Sequence, residues 1–108
     1  MSMGCIEELE NLIWGKMIVF LPHLRIKKEV LTPELTAISQ YLIELICLLD
    51  GEKYLPRSLV DKLFRLYTTL QAESGYLSDK ESARCDELII KVLNEIRDIM
   101  SVEKRYMM

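Results

Sequence analysis

Histidine occurs once in this chain, at His23, and cysteine three times, at Cys5, Cys47 and Cys85. A single histidine cannot build a histidine-based metal centre without carboxylates or thiols at ligand spacing, and none surround it. His23 follows Pro22 and is expected in a surface loop. An odd number of cysteines with no C-x-x-C pair excludes a disulfide framework and a zinc ribbon. Three buried free thiols are expected instead, because cysteine is among the most buried residue types. Glycine is scarce, with four residues, and none forms a phosphate-cradling loop or a G-x-S-x-G elbow. No His–Cys or Ser–His pairing supplies an activated nucleophile. The chain also lacks a basic excess: its formal net charge is −3, whereas phosphate binding needs a net basic face, so nucleic acid is not expected as a partner. Long apolar runs are absent. The longest, Met17 to Leu21 and Leu45 to Leu49, fall far short of a membrane span. Acidic Glu7 and Glu8 stand where a secretory signal carries basic residues. A cytoplasmic protein is expected.

Half of the 108 residues are apolar and 29% are charged, which suits one compact core under a solvated surface. One domain over residues 1–108 is expected. No alternating strand of useful length occurs, and four helical stripes can be traced. The first helix is predicted from Cys5 to Leu21, with Ile6, Leu9, Ile13, Met17 and Phe20 on one face. Pro22 then ends or kinks it. Residues 22 to 32 read either as a loop or as a short helix with Pro22 at its first position. Thr32, Pro33 and Glu34 form a helix start, with Thr32 as cap. Leu35, Ile38, Leu42, Leu45 and Leu49 carry the second stripe, and Asp50-Gly51 stops it. The third helix begins near Pro56, buries Leu59, Leu63, Leu66 and Leu70, widens through Val60, Phe64 and Tyr67, and ends at Ser74-Gly75. The fourth opens on an S-x-x-E capping box, Ser78 and Glu81. It runs through Cys85, Ile89, Val92, Ile96 and Ile99. Residues 101–108 are expected to fray. Short links between the last three helices predict neighbouring antiparallel packing, hence an all-α antiparallel four-helix bundle of up-down-up-down order.

Most individual side chains read as structural. Trp14, Phe20, Tyr41, Phe64 and Tyr67 fall on or beside apolar stripes and are expected in the core. Tyr54, Tyr76 and Tyr106 fall in links or the tail and suit exposed contacts. Glu95 and Asp98 form an E-x-x-D pair of the kind that holds magnesium in some all-helical nucleotide pyrophosphatases. The first helix offers only Glu7, Glu8 and Glu10 without the further acid such sites use. A solvated face with local ion pairs is predicted, with no metal and no cofactor. One feature exceeds what folding needs. Trp14, Ile18 and Leu21 cannot all point inward together with the first stripe, since jointly they span most of the helix circumference. With the basic cluster Arg25, Lys27 and Lys28, they are predicted to form a partner-binding face. The partner is another protein, a second copy, or a membrane-embedded receptor complex. The competing reading is that residues 22 to 32 fold back and cover the surplus.

A stretch from Lys53 to Ile96 carries a further signal. Lys53-Tyr54-Leu55-Pro56 is followed by Leu59-Val60-x-x-Leu63 and Tyr67, then by Leu77-Ser78-Asp79-Lys80-Glu81, then by a last helix with Leu88 and Ile89. This half of the chain resembles the immunity proteins for pediocin-like bacteriocins. The resemblance implies a cytosolic bacterial four-helix bundle that protects its producer by recognising a peptide-occupied membrane receptor. The chain departs from the family in its more apolar first helix and shorter tail. The expected function is therefore non-catalytic protein binding of immunity type. The alternatives are a helical chaperone or adaptor that sheathes a partner's apolar segment and, third, a magnesium-dependent nucleotide hydrolase.

Overall fold

The computed structural model describes residues 3–52 and 54–101. The expected fraying beyond Ser101, and Tyr106 with it, lie outside the described residues. Among the described residues the chain is all-helical: α1 spans Met3–Lys27, α2 Thr32–Leu48, α3 Arg57–Ser74 and α4 Asp79–Ile99. The predicted stripes are the core. Leu35, Ile38, Leu42, Leu45, Leu59, Leu63, Leu66, Leu70, Val92 and Ile96 are fully buried, and Ile89 nearly so. Ile6, Leu9, Ile13, Met17 and Phe20 complete the core from α1.

The first helix does not stop at Leu21. Pro22 lies inside α1, which continues to Lys27. An interior proline forfeits one backbone hydrogen bond and costs about 3 kcal/mol. Continuing the helix buries Leu24, which contributes about 1.5–3 kcal/mol and offsets much of that cost. His23 therefore sits on a helix, half-buried, with Nε2 3.3 Å from Glu29 Oε1. Lys28 ends the helix in the left-handed region at φ 56°, its N–H donating to the Leu24 carbonyl at 3.0 Å. That conformation costs a non-glycine residue about 1–2 kcal/mol. The Lys28 ammonium offsets it, 2.7 Å from Glu73 and 5.3 Å from the Tyr76 ring centroid.

Other terminators behave as the residues dictate, with two adjustments. Gly51 takes the positive φ expected of it, 84°. Thr32 is not the cap of α2. Leu31 occupies that position, without a side-chain bond, and Pro33 supplies the preorganised first turn. At α4, Ser78 Oγ accepts the Glu81 N–H at 3.1 Å. The Glu81 carboxylate does not return to Ser78. It accepts the Val30 N–H at 2.7 Å, across to the segment that opens α2.

The helices do not pack in sequence order. α1 lies against α2 and α3, and α4 lies against α2 and α3. Among the described residues α2 and α3 do not pack together, nor do α1 and α4. The expectation that a short link makes α2 and α3 neighbours is thus corrected. α1 and α4 each pack against both of them, which keeps the two apart. Polar side chains bridge the seams that do form. Buried Glu10 of α1 accepts from Ser58 Oγ at 3.1 Å and Lys62 Nζ at 2.8 Å on α3. Buried Ser39 of α2 donates to Glu95 of α4 at 2.9 Å, and Lys91 donates to both at 2.6 Å. Arg97 reaches the Tyr67 hydroxyl at 3.0 Å.

A candidate contact groove between α1 and α3

The apolar surplus of α1 sorts by angle, since each residue turns the helix by about 100°. Ile13, Met17, Phe20 and Leu24 point into the core. Ile18, Val19 and Ile26 point away from it and are 55%, 53% and 77% exposed. Trp14 stands at the edge, half-buried. Leu21, predicted to be exposed, is instead buried. It lies four residues after Met17 and therefore shares its face. The basic segment does not fold back over the surplus, because Arg25 and Lys27 lie on the last turns of α1 itself and are exposed.

Between α1 and α3 this leaves a groove of about 660 Å³. Trp14, Ile18, Leu21, Arg25 and Lys28 line it, five of the six residues predicted for the contact face. Lys27 does not. Ile26 and Pro22 extend the α1 wall, and α3 supplies Arg65, Thr69 and Glu73. These three were missed. With Lys62 they recur at three- and four-residue steps, a polar stripe beside the buried Leu63, Leu66 and Leu70. That spacing was the available signal.

Cations surround the apolar floor. Lys62 Nζ lies 5.5 Å from the Trp14 ring centroid and the Arg65 guanidinium 6.0 Å from it, within reach of the ring's negative face. Lys62 is held there by Glu10, whose carboxylate it meets at 2.8 Å. At the far end Lys28 is tied to Glu73. Arg25 stands exposed on the α1 side. Such a surface can seat an apolar segment that carries carboxylates.

Other predicted features are placed differently from expectation. Glu95 is not merely solvated: its side chain is 11% exposed and bridges α2 to α4 through Ser39. Among the described residues no group of three or more His, Cys, Asp or Glu is placed to hold a metal ion. Cys85 is buried, but Cys5 and Cys47 are exposed, on a second shallow groove with Leu12 and Ile43. Burial pushes the Cys85 thiol up, which keeps it protonated and unreactive. Phe64, expected in the core, is 60% exposed, since its position one step after Leu63 turns it off the buried stripe. Tyr54 and Tyr76 are exposed as expected. Among the described residues no helix is long and apolar enough to cross a membrane. Comparison of the chain with protein-family models, with curated proteins and with solved structures finds no match.

Proposed function

We propose that this is a non-catalytic binding protein that seats an apolar, acid-bearing segment of a partner in the α1–α3 groove. The observation that carries the reading is the convergence of half-buried Trp14 and exposed Ile18 and Ile26 with Arg25 and Arg65 on one concavity, with Lys62 over the Trp14 ring beside it. A bundle helix needs one buried stripe, and exposed apolar side chains beside a cationic rim exceed what the core uses. The helix directions suit an up-down-up-down bundle. Bridges join the early turns of α1 to those of α3, through Glu10, and the start of α2 to that of α4, through Val30 and Glu81. Since α1 also packs against α2 across the short link 28–31, which turns the chain back, each consecutive pair runs antiparallel.

Within this class the reading is immunity to a pore-forming bacteriocin by recognition of its membrane receptor complex. The residues from Lys53 to Ile96 that resemble the pediocin-like immunity proteins support it. The chaperone or adaptor reading uses the same groove. The hydrolase reading is weaker, because Glu95, its required ligand, is engaged by Ser39 and Lys91. Expression in a sensitive strain followed by challenge with a pediocin-like peptide tests the immunity reading. Protection is expected, and Ile18→Glu and Arg65→Glu should each diminish it while leaving the fold intact. No protection against any such peptide would sink the immunity reading. Undiminished protection in both variants would sink the groove.

A further inference from the structure

The outward surface of α1 runs from Leu12 through Gly15, Ile18, Val19 and Pro22 to Ile26, with no charged side chain among them. Leu12, Val19 and Ile26 recur every seven residues, and all three are exposed. Gly15 stands in the middle of this strip, and a Cβ built there meets nothing within 4 Å. Nothing inside the molecule requires glycine at that position, although a helical interior disfavours it. Close approach of a second helix would use it.

Charge indicates which helix. Glu7 and Glu8 are exposed on the first turns of α1, and Arg25 and Lys27 on the last. Glu7 and Arg25 are eighteen residues apart, five turns at about 3.6 residues each, so they lie on one line along the helix. Their midpoint is residue 16. Trp14 and Ile18 share that midpoint, and Leu12 and Val19 fall half a residue from it. A two-fold axis at this level, beside Gly15, sets Glu7 against Arg25 of a second copy, Leu12 against Val19 and Ile18 against Trp14, each pair formed twice. A parallel arrangement would oppose Glu7 to Glu7 and Arg25 to Arg25.

We propose that α1 is a self-association face on which two copies pack antiparallel across Gly15. The inference rests on reading the outer surface of α1 as a contact face, and it names a second copy as one occupant. Trp14, Ile18 and Arg25 then serve both the second copy and the groove, so pairing and capture of a foreign segment exclude each other. Self-pairing would keep the apolar strip covered until a partner displaces it.

Sedimentation equilibrium of the full chain at low salt, from about 1 µM to 1 mM, tests this. A monomer–dimer equilibrium is expected, since a single helix pair lies at the small end of stable interfaces. Glu7→Arg and Arg25→Glu should each weaken it about tenfold, because each reverses two exposed ion pairs. The double variant restores all the pairs and should recover the wild-type constant. Gly15→Leu should abolish pairing with helix content unchanged by circular dichroism. A monomer throughout the range would overturn the pairing and leave the face to a foreign partner, with the groove reading untouched. A dimer in which the double variant pairs no better than the single ones would overturn the antiparallel register.

Discussion

Glu81 does three things with one side chain. It accepts the Val30 N–H at 2.7 Å, pairs with Arg84 at 2.6 Å and lies 3.9 Å from the Cys85 sulfur. The Arg84 hydrogen bond first, and then the Val30 N–H, hold its carboxyl below the usual range. A carboxyl depressed in the folded state stabilises the fold above its unfolded value and ceases to do so as pH falls through its folded one. Glu81→Ala should therefore cost about 1–3 kcal/mol at pH 7, chiefly by leaving the Val30 N–H unpaired. Part of that loss should disappear in denaturant titrations run at a pH below the depressed folded-state value, where wild-type Glu81 is itself protonated. A penalty that is the same at both pH values would mean that the charge contributes nothing. Glu95 bears on the predicted solvated face in the same way. Glu95→Ala leaves the buried Ser39 hydroxyl without its acceptor, while exposed Lys91 keeps Ser39 and solvent, and should cost about 1–3 kcal/mol by the same measurement, more than an exposed ion pair is worth. Leu63 is an apolar control. It is fully buried, and Leu63→Ala should lower unfolding free energy by about 2–5 kcal/mol.

α1 departs furthest from its own local rules. It tolerates Gly15 and Pro22 within one helix because its inward residues are buried on several sides. In dilute protein, Gly15→Ala should raise unfolding free energy by about 1 kcal/mol, since space for the methyl group is open. Pro22→Ala should raise it by up to about 3 kcal/mol. Destabilisation by either substitution would mean that the helix needs the residue locally. The stripes of α2, α3 and α4 were legible because a 3.6-residue period in leucine and isoleucine is a property of the sequence alone. Pro22 could be read only as ending or kinking α1, and which of the two holds depends on where Leu24 is buried. Half of the Ser78–Glu81 box was legible for a similar reason. The N–H of Glu81 is three residues from Ser78, whereas Val30, which takes its carboxylate, is 51 residues distant. On the groove, the α1 wall could be read from its apolar surplus. The α3 wall could not, because which polar stripe faces α1 is decided by packing.

At the scale of the molecule, the seams explain both the connectivity and the groove. α1 and α3 are joined near one end by Glu10 with Lys62 and near the other by Lys28 with Glu73. Between these ties the two helices leave the concavity that Trp14 borders. The same Lys62 that fixes the seam lies over the Trp14 ring, so the architecture and the cationic rim are one construction. Trp14 is the only tryptophan in the chain, which makes its emission a reporter of this site alone. On this construction Trp14 borders an open, cation-rimmed groove. The most direct test of the open groove is quenching of Trp14 in dilute, verified monomer by iodide and by caesium at equal ionic strength. Clear quenching by iodide, well above that by caesium, is the predicted result, because Lys62 and Arg65 attract the anion and repel the cation. A Trp14 shielded equally from both ions in the monomer would contradict it and make the apolar surplus of α1 internal core.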